Sequence, residues 1–101
     1  MKKLVRDLIP KIIRDSGRSP AVYVADREEH ISRLYDNMGE ELQEFIEDPC
    51  VEEAADIYEV FLSICKMHGI GHGEVLIAAM GKKNRRGAFD EGYVLEYVKE
   101  D

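Results

Sequence analysis

A run of apolar residues at helical spacing, from about Arg27 to Ile46, constrains this chain more than any other feature. Ile31, Leu34/Tyr35, Met38, Leu42 and Phe45/Ile46 recur in steps of three and four, which describes one long amphipathic helix. Asp48-Pro49 then supplies a turn, with Asp48 as a cap and Pro49 suited to the first helical position. A further helix is predicted from about Pro49 to His68. Its Ala54, Ala55, Ile57, Tyr58, Val60, Phe61, Leu62, Ile64 and Cys65 leave only a narrow polar edge, so it is expected to be central and buried on more than one side. Two such helices joined by so short a turn predict an antiparallel hairpin and an all-α fold.

The flanks extend the pattern. Val5, Leu8/Ile9 and Ile12/Ile13 have helical spacing, and Pro10 is tolerated if it falls in a first turn, so Asp7 is the expected N-cap and Gly17 the stop. Ala21 to Ala25 is β-favouring and predicts a short extended segment. Gly69, Gly71 and Gly73 mark a turn, after which a fourth helix is expected from about Gly73 to Arg86, ending at Gly87. The segment from Phe89 to Val98 mixes apolar and charged residues and takes no assignment.

A chain of 101 residues predicts one domain, residues 1–101, with room for a modest core. That core lacks Trp and must rest on Leu, Ile, Val and Ala. Completion of the helical bundle by self-association, as a homodimer or homotetramer, is therefore expected. A net charge of −7 argues against nucleic acid as a partner, because phosphate-backbone binding needs a basic face. Cys50 and Cys65 have no metal-ligand spacing, and no run approaches the roughly 18 apolar residues of a membrane span. These features point to a reducing, cytoplasmic compartment.

The chemistry falls on the two middle helices. Glu40-Glu41-Leu42-Gln43-Glu44 lies on one and Glu53-Ala54-Ala55-Asp56 on the next. Residues three apart on a helix are separated by roughly 60°, so Glu41/Glu44 and Glu53/Asp56 each share a face. The turn between them suffices to bring the two pairs opposite one another. Glu41 is read as flanking the Met38/Leu42 seam, whereas Glu53 falls in line with Ile57, Val60 and Ile64. A carboxylate in an apolar stripe is costly unless its charge is compensated. Four converging carboxylates would be reconciled by a divalent cation, and all-oxygen ligation suits Mg²⁺ or Mn²⁺. The spacing alone also fits a solvated acidic face, and acids early in a helix favour its dipole.

A second group, Lys82, Lys83, Arg85 and Arg86, gathers four of the 14 basic residues beside a glycine. Such cations either complement a helix C-terminus or, next to a carboxylate-bound metal, accommodate polyphosphate. His68 and His72 flank the glycine-rich turn without metal-ligand spacing and are expected to face solvent or cap a helix. Cys65 reads as a small core hydrophobe.

At these residues the chain resembles the MazG-like, all-α nucleoside triphosphate pyrophosphohydrolase superfamily, whose signature is EExxE followed on the next helix by ExxD. Here these are Glu40-Glu41-x-x-Glu44 and Glu53-x-x-Asp56. The opening KLVRDLIPKII, from Lys3 to Ile13, resembles the KLVRDKIPEII of a phosphoribosyl-ATP pyrophosphohydrolase-like branch. Lys83 to Phe89 is similar to that branch's KxxRGGF segment, with Ala88 in place of the second glycine and a shorter gap between the acidic motifs. The resemblance implies that Glu41, Glu44, Glu53 and Asp56 ligate Mg²⁺ and that Glu40 joins them or orients the attacking water. It implies that Lys83 and Arg86, with Lys82 and Arg6 as further candidates, stabilise a leaving pyrophosphate. The implied reaction splits a nucleoside triphosphate into monophosphate and pyrophosphate. Hydrolysis of phosphoribosyl-ATP, a nucleotide sensor without turnover and a helical oligomerisation module are the alternatives.

Overall fold

The computed structural model describes residues 2–100 and is all-helical, with four helices and no strand among the described residues. They are α1 (Ile9–Asp15), α2 (Arg27–Glu47), α3 (Val51–Met67) and α4 (His72–Arg86). The chain forms two compact units, one reaching to Ile70 and one beginning at Gly71.

In the first unit, α1 begins one residue later than the sequence suggests. Leu8, and not Asp7, is its N-cap, and Pro10 lies in the first turn, where no intrahelical donor is lost. Gly17 follows the helix at φ +87°, a left-handed conformation that halts it at low cost. Residues 21–25 adopt no regular secondary structure, so their β-favouring composition finds no strand to pair with. Tyr23 in this segment donates to Glu29 Oε2 at 2.6 Å.

Helix α2 starts where the periodicity starts. The Asp26 carboxylate accepts from the Glu29 amide at 2.8 Å, satisfying one of the donors left open at the helix start. Glu28 and Glu29 in the first turn suit the dipole. The turn after α2 differs from expectation. Asp48 closes α2, its amide donating to the Glu44 carbonyl, and Cys50 is the N-cap of α3. Pro49 therefore sits in the turn and not in a helix.

Helices α2 and α3 pack against one another. Arg27 donates to the Met67 carbonyl at 2.5 Å, and the Tyr35 hydroxyl meets His68 Nε2 at 2.9 Å. Further along, Glu41 meets Glu53 and Asp56. On α2 the covered residues include Ile31, Leu34, Met38, Glu41 and Phe45, at alternating steps of three and four. On α3 they include Glu53, Ile57, Val60 and Ile64. Leu34 and Cys65 are the most enclosed, at 5% and 7% exposure.

Toward its start, helix α3 is covered on this side alone, and on the far face Leu62 and Cys65 are covered, so the expected burial on more than one side is confined to its later turns. Val51, Ala54, Ala55, Tyr58 and Phe61 are exposed and recur at helical spacing as an outward apolar stripe. No helix of the described residues is long and apolar enough to cross a membrane.

In the second unit, α4 is preceded by Gly71, whose amide donates to Glu74 Oε1. Lys83, Arg85 and Arg86 occupy its last turn, where cations favour the dipole. Gly87 ends the helix at φ +85° and ψ 177°, a region open essentially to glycine alone. Residues 92–100 have no regular secondary structure.

Candidate metal centre

Two helices supply the acidic group, and the packing of their seams decides which carboxylates meet. Glu41 stands in the α2 seam, between Met38 and Phe45, while Leu42 is turned outward and half exposed. This corrects the flanking position inferred from the sequence. Met38 can be followed on one face by residue 41 or 42, and the packing against α3 selects 41. Glu53 is in the α3 seam, as its register with Ile57, Val60 and Ile64 implies. One layer between the two helices is thus built of carboxylates where a bundle would ordinarily place leucines.

Glu41, Glu53 and Asp56 each offer an oxygen, and the three oxygens lie within 4.8 Å of one another. Glu41 Oε2 and Glu53 Oε2 are shut off from water and have no hydrogen-bond partner. For an acceptor such as that of Glu41, losing water without gaining a donor costs on the order of 1–3 kcal/mol. Burial pushes the Glu41 carboxyl above the ordinary carboxylate range; the like charge of Glu44 adds to this, followed by Asp56 and Glu53. Glu53 is raised in the same way, by burial first and then by Glu44, Asp56 and Asp48. Glu44, itself exposed, therefore acts on both seam carboxylates.

The outer rim carries two ion pairs. Glu40 is exposed and lies 3.5 Å from Lys3. Arg6 donates to Asp56 Oδ1 at 2.7 Å, so this side chain, expected to hold phosphate, is engaged by a carboxylate of the cluster. The pair is half exposed and worth about 0–1 kcal/mol, too little to offset the burial of the seam oxygens. Nor does Arg6 reach them, since both remain without a donor.

The position of Arg6 depends on residues that the sequence reading passed over. Arg33 donates to the Lys2 carbonyl at 3.4 Å and Asn37 to the Leu4 carbonyl at 3.3 Å. With Glu40 holding Lys3, these residues tie the segment preceding α1 along α2. Their signal in the sequence is a polar stripe at positions 33, 37 and 40, one helical face beside the apolar seam.

Three carboxylates with hard oxygen donors, two of them orphaned and held close, fit the requirements of a small divalent cation. Such an ion would take its remaining ligands from water or from a substrate oxygen. Lys82, Lys83 and Arg86 are exposed on the last turns of α4, in the second unit. His68 is exposed and caps α3, and Cys50 and Cys65 are free thiols, Cys65 being buried as expected. Comparison with known proteins finds no matching protein-family model, no matching curated protein and no matching solved structure.

Proposed function

We propose that this chain is a Mg²⁺-dependent nucleoside triphosphate pyrophosphohydrolase of the MazG-like kind, releasing monophosphate and pyrophosphate. The carboxylate layer carries the reading: Glu41 and Glu53 each bury an oxygen that no protein donor satisfies, beside Asp56. A structural ion pair would not leave such oxygens open, and a solvated acidic face would not bury them.

Glu41, Glu53 and Asp56 would hold Mg²⁺, with Mn²⁺ as a substitute, and Glu44 completes the ligand set on the strength of the sequence motif. A bound Mg²⁺ would neutralise phosphate charge and lower the pKa of a water molecule. Glu40 would join these ligands or orient the attacking water; attack at the α-phosphorus would break its bond to the bridging oxygen of the β-phosphate and release pyrophosphate. Arg6 and the basic residues Lys82, Lys83 and Arg86 are assigned to pyrophosphate by the resemblance stated above. Non-standard nucleotides are the proposed substrates of this house-cleaning reaction, in the cytoplasm.

The fold proposed to support it is an antiparallel helix hairpin completed by a second copy of the chain. Support comes from the outward stripe of α3, which a single chain leaves exposed. The activity is tested by pyrophosphate release from ordinary and modified nucleoside triphosphates and from phosphoribosyl-ATP, with and without Mg²⁺. Release from a nucleoside triphosphate only with Mg²⁺ is expected. Release confined to phosphoribosyl-ATP would reassign the substrate, and no release from any nucleotide would favour a sensor or an oligomerisation module.

A further inference from the structure

The basic residue held against the cluster arrives from outside the two helices that build it. Arg6 lies fifty positions from Asp56 in the chain, and its guanidinium donates to Asp56 Oδ1 at 2.7 Å. Three contacts along α2 bring it there: Arg33 to the Lys2 carbonyl, Lys3 to Glu40, and Asn37 to the Leu4 carbonyl. Asp56 is also one of the three carboxylates whose oxygens converge. A carboxylate that a cation would draw on is therefore one that Arg6 already holds.

We propose that Arg6 is an exchangeable internal counter-ion of the acidic cluster. It neutralises Asp56 in the metal-free protein and yields that carboxylate when a divalent cation is bound. The inference rests on the metal-centre reading above and adds its regulation. Geometry favours exchange over a permanent lock. Both partners are substantially exposed, at 58% for Arg6 and 40% for Asp56, so water replaces the lost contact readily. Asp56 is the cluster carboxylate that Arg6 engages, while Glu41 and Glu53 keep open oxygens to begin ligation. Once released, the guanidinium remains tethered by the Lys2, Lys3 and Leu4 contacts at the rim. There its planar, five-donor fork suits the oxygens of a metal-bound pyrophosphate.

Isothermal titration of the full chain with Mn²⁺ alone, and then with inorganic pyrophosphate in the presence of Mn²⁺, tests the exchange. Arg6→Gln removes the competitor and should bind Mn²⁺ about two- to fivefold more tightly, the range expected for losing an exposed ion pair. The same variant should bind pyrophosphate less tightly. Lys11→Gln removes an equal charge from the same unit, where Lys11 pairs with Asp15 and has no part in holding Arg6, and should leave the Mn²⁺ affinity near that of the wild type. Circular dichroism melts show whether each variant is folded. Equal tightening in Lys11→Gln would reduce the effect to general charge and overturn the exchange. Wild-type Mn²⁺ binding that Arg6→Gln leaves unchanged or weakens would overturn it as well, with the metal centre intact. Absence of Mn²⁺ binding in the wild type and both variants would overturn the metal centre itself.

Discussion

Glu41 on α2 and Glu53 on α3 meet in the seam between their helices, each with an Oε2 enclosed by protein and offered no hydrogen. Each is stripped of hydration and then faces the negative charges of Glu44 and Asp56, which raises both pKa values. The protein thus has an unfavourable layer near the end of the α2–α3 seam where the connecting turn lies. A bound cation would turn the same layer into a favourable one.

Glu53→Gln tests that relationship directly. The amide keeps the shape of the side chain and loses its charge, so the variant should fold, and its metal-dependent turnover should fall by at least about 100-fold, because metal charge stabilisation is worth several kcal/mol. Millimolar Mg²⁺ should raise the melting temperature of the wild type and not that of the variant. Full Mg²⁺-dependent activity in Glu53→Gln would remove Glu53 from the ligand set.

The metal-free protein should lose stability as pH rises through the raised values of Glu41 and Glu53. Above the ordinary glutamate value, the unfolded chain has released protons that these folded carboxyls still hold. Their contribution is complete below that ordinary value and disappears once the folded groups ionise. Glu29 works in a different window. Its pKa is lowered, first by the Tyr23 hydrogen bond and then by Arg33, so its contribution is lost as pH falls through its folded value. Thermal melts in chelator from mildly acidic to neutral pH should show the decline, and Glu41→Gln/Glu53→Gln should flatten it. Parallel profiles for the wild type and the double variant would contradict the raised values.

Leu34→Ala should destabilise the first unit by about 2–5 kcal/mol, the usual range for emptying a buried leucine site. Leu34 is the most enclosed residue of the α2–α3 seam, and few others share its load. Urea denaturation would measure the loss, and a change below about 0.5 kcal/mol would mean the seam does not hold the fold.

The outward stripe of α3 leads to a prediction about assembly. Phe61, 41% exposed, and Val51, 80% exposed, belong to a surface that a second copy is proposed to cover. Phe61→Glu should shift the chain toward monomer in light scattering after size-exclusion chromatography, while the helix content stays the same. A wild-type chain that is monomeric at tens of micromolar would contradict the proposed assembly.

Some of these features are readable in the chain and others are not, for physical reasons. Helix α2 runs Arg27–Glu47, within a residue of its periodic pattern, because that pattern persists over the whole element and Asp26 caps it. Glu53 is legible because its neighbours at 57, 60 and 64 are unambiguous. Glu41 is not, since residues 41 and 42 both follow Met38 at helical spacing and only the partner helix chooses. The caps Leu8 and Cys50 replace the expected Asp7 and Asp48 because backbone conformation ends those helices without help from a side chain. The Arg6–Asp56 pair spans fifty positions, beyond what local periodicity can report.

The carboxylate layer has a mechanical consequence as well as a chemical one. In an otherwise apolar seam, helices can slide by a turn with little penalty, because one branched side chain resembles the next. Here such a slide would set Glu41 against Ile57 and Glu53 against Phe45, leaving each charge alone among hydrocarbon. The residues proposed to do the chemistry would thereby key α2 to α3, making the site its own alignment mark.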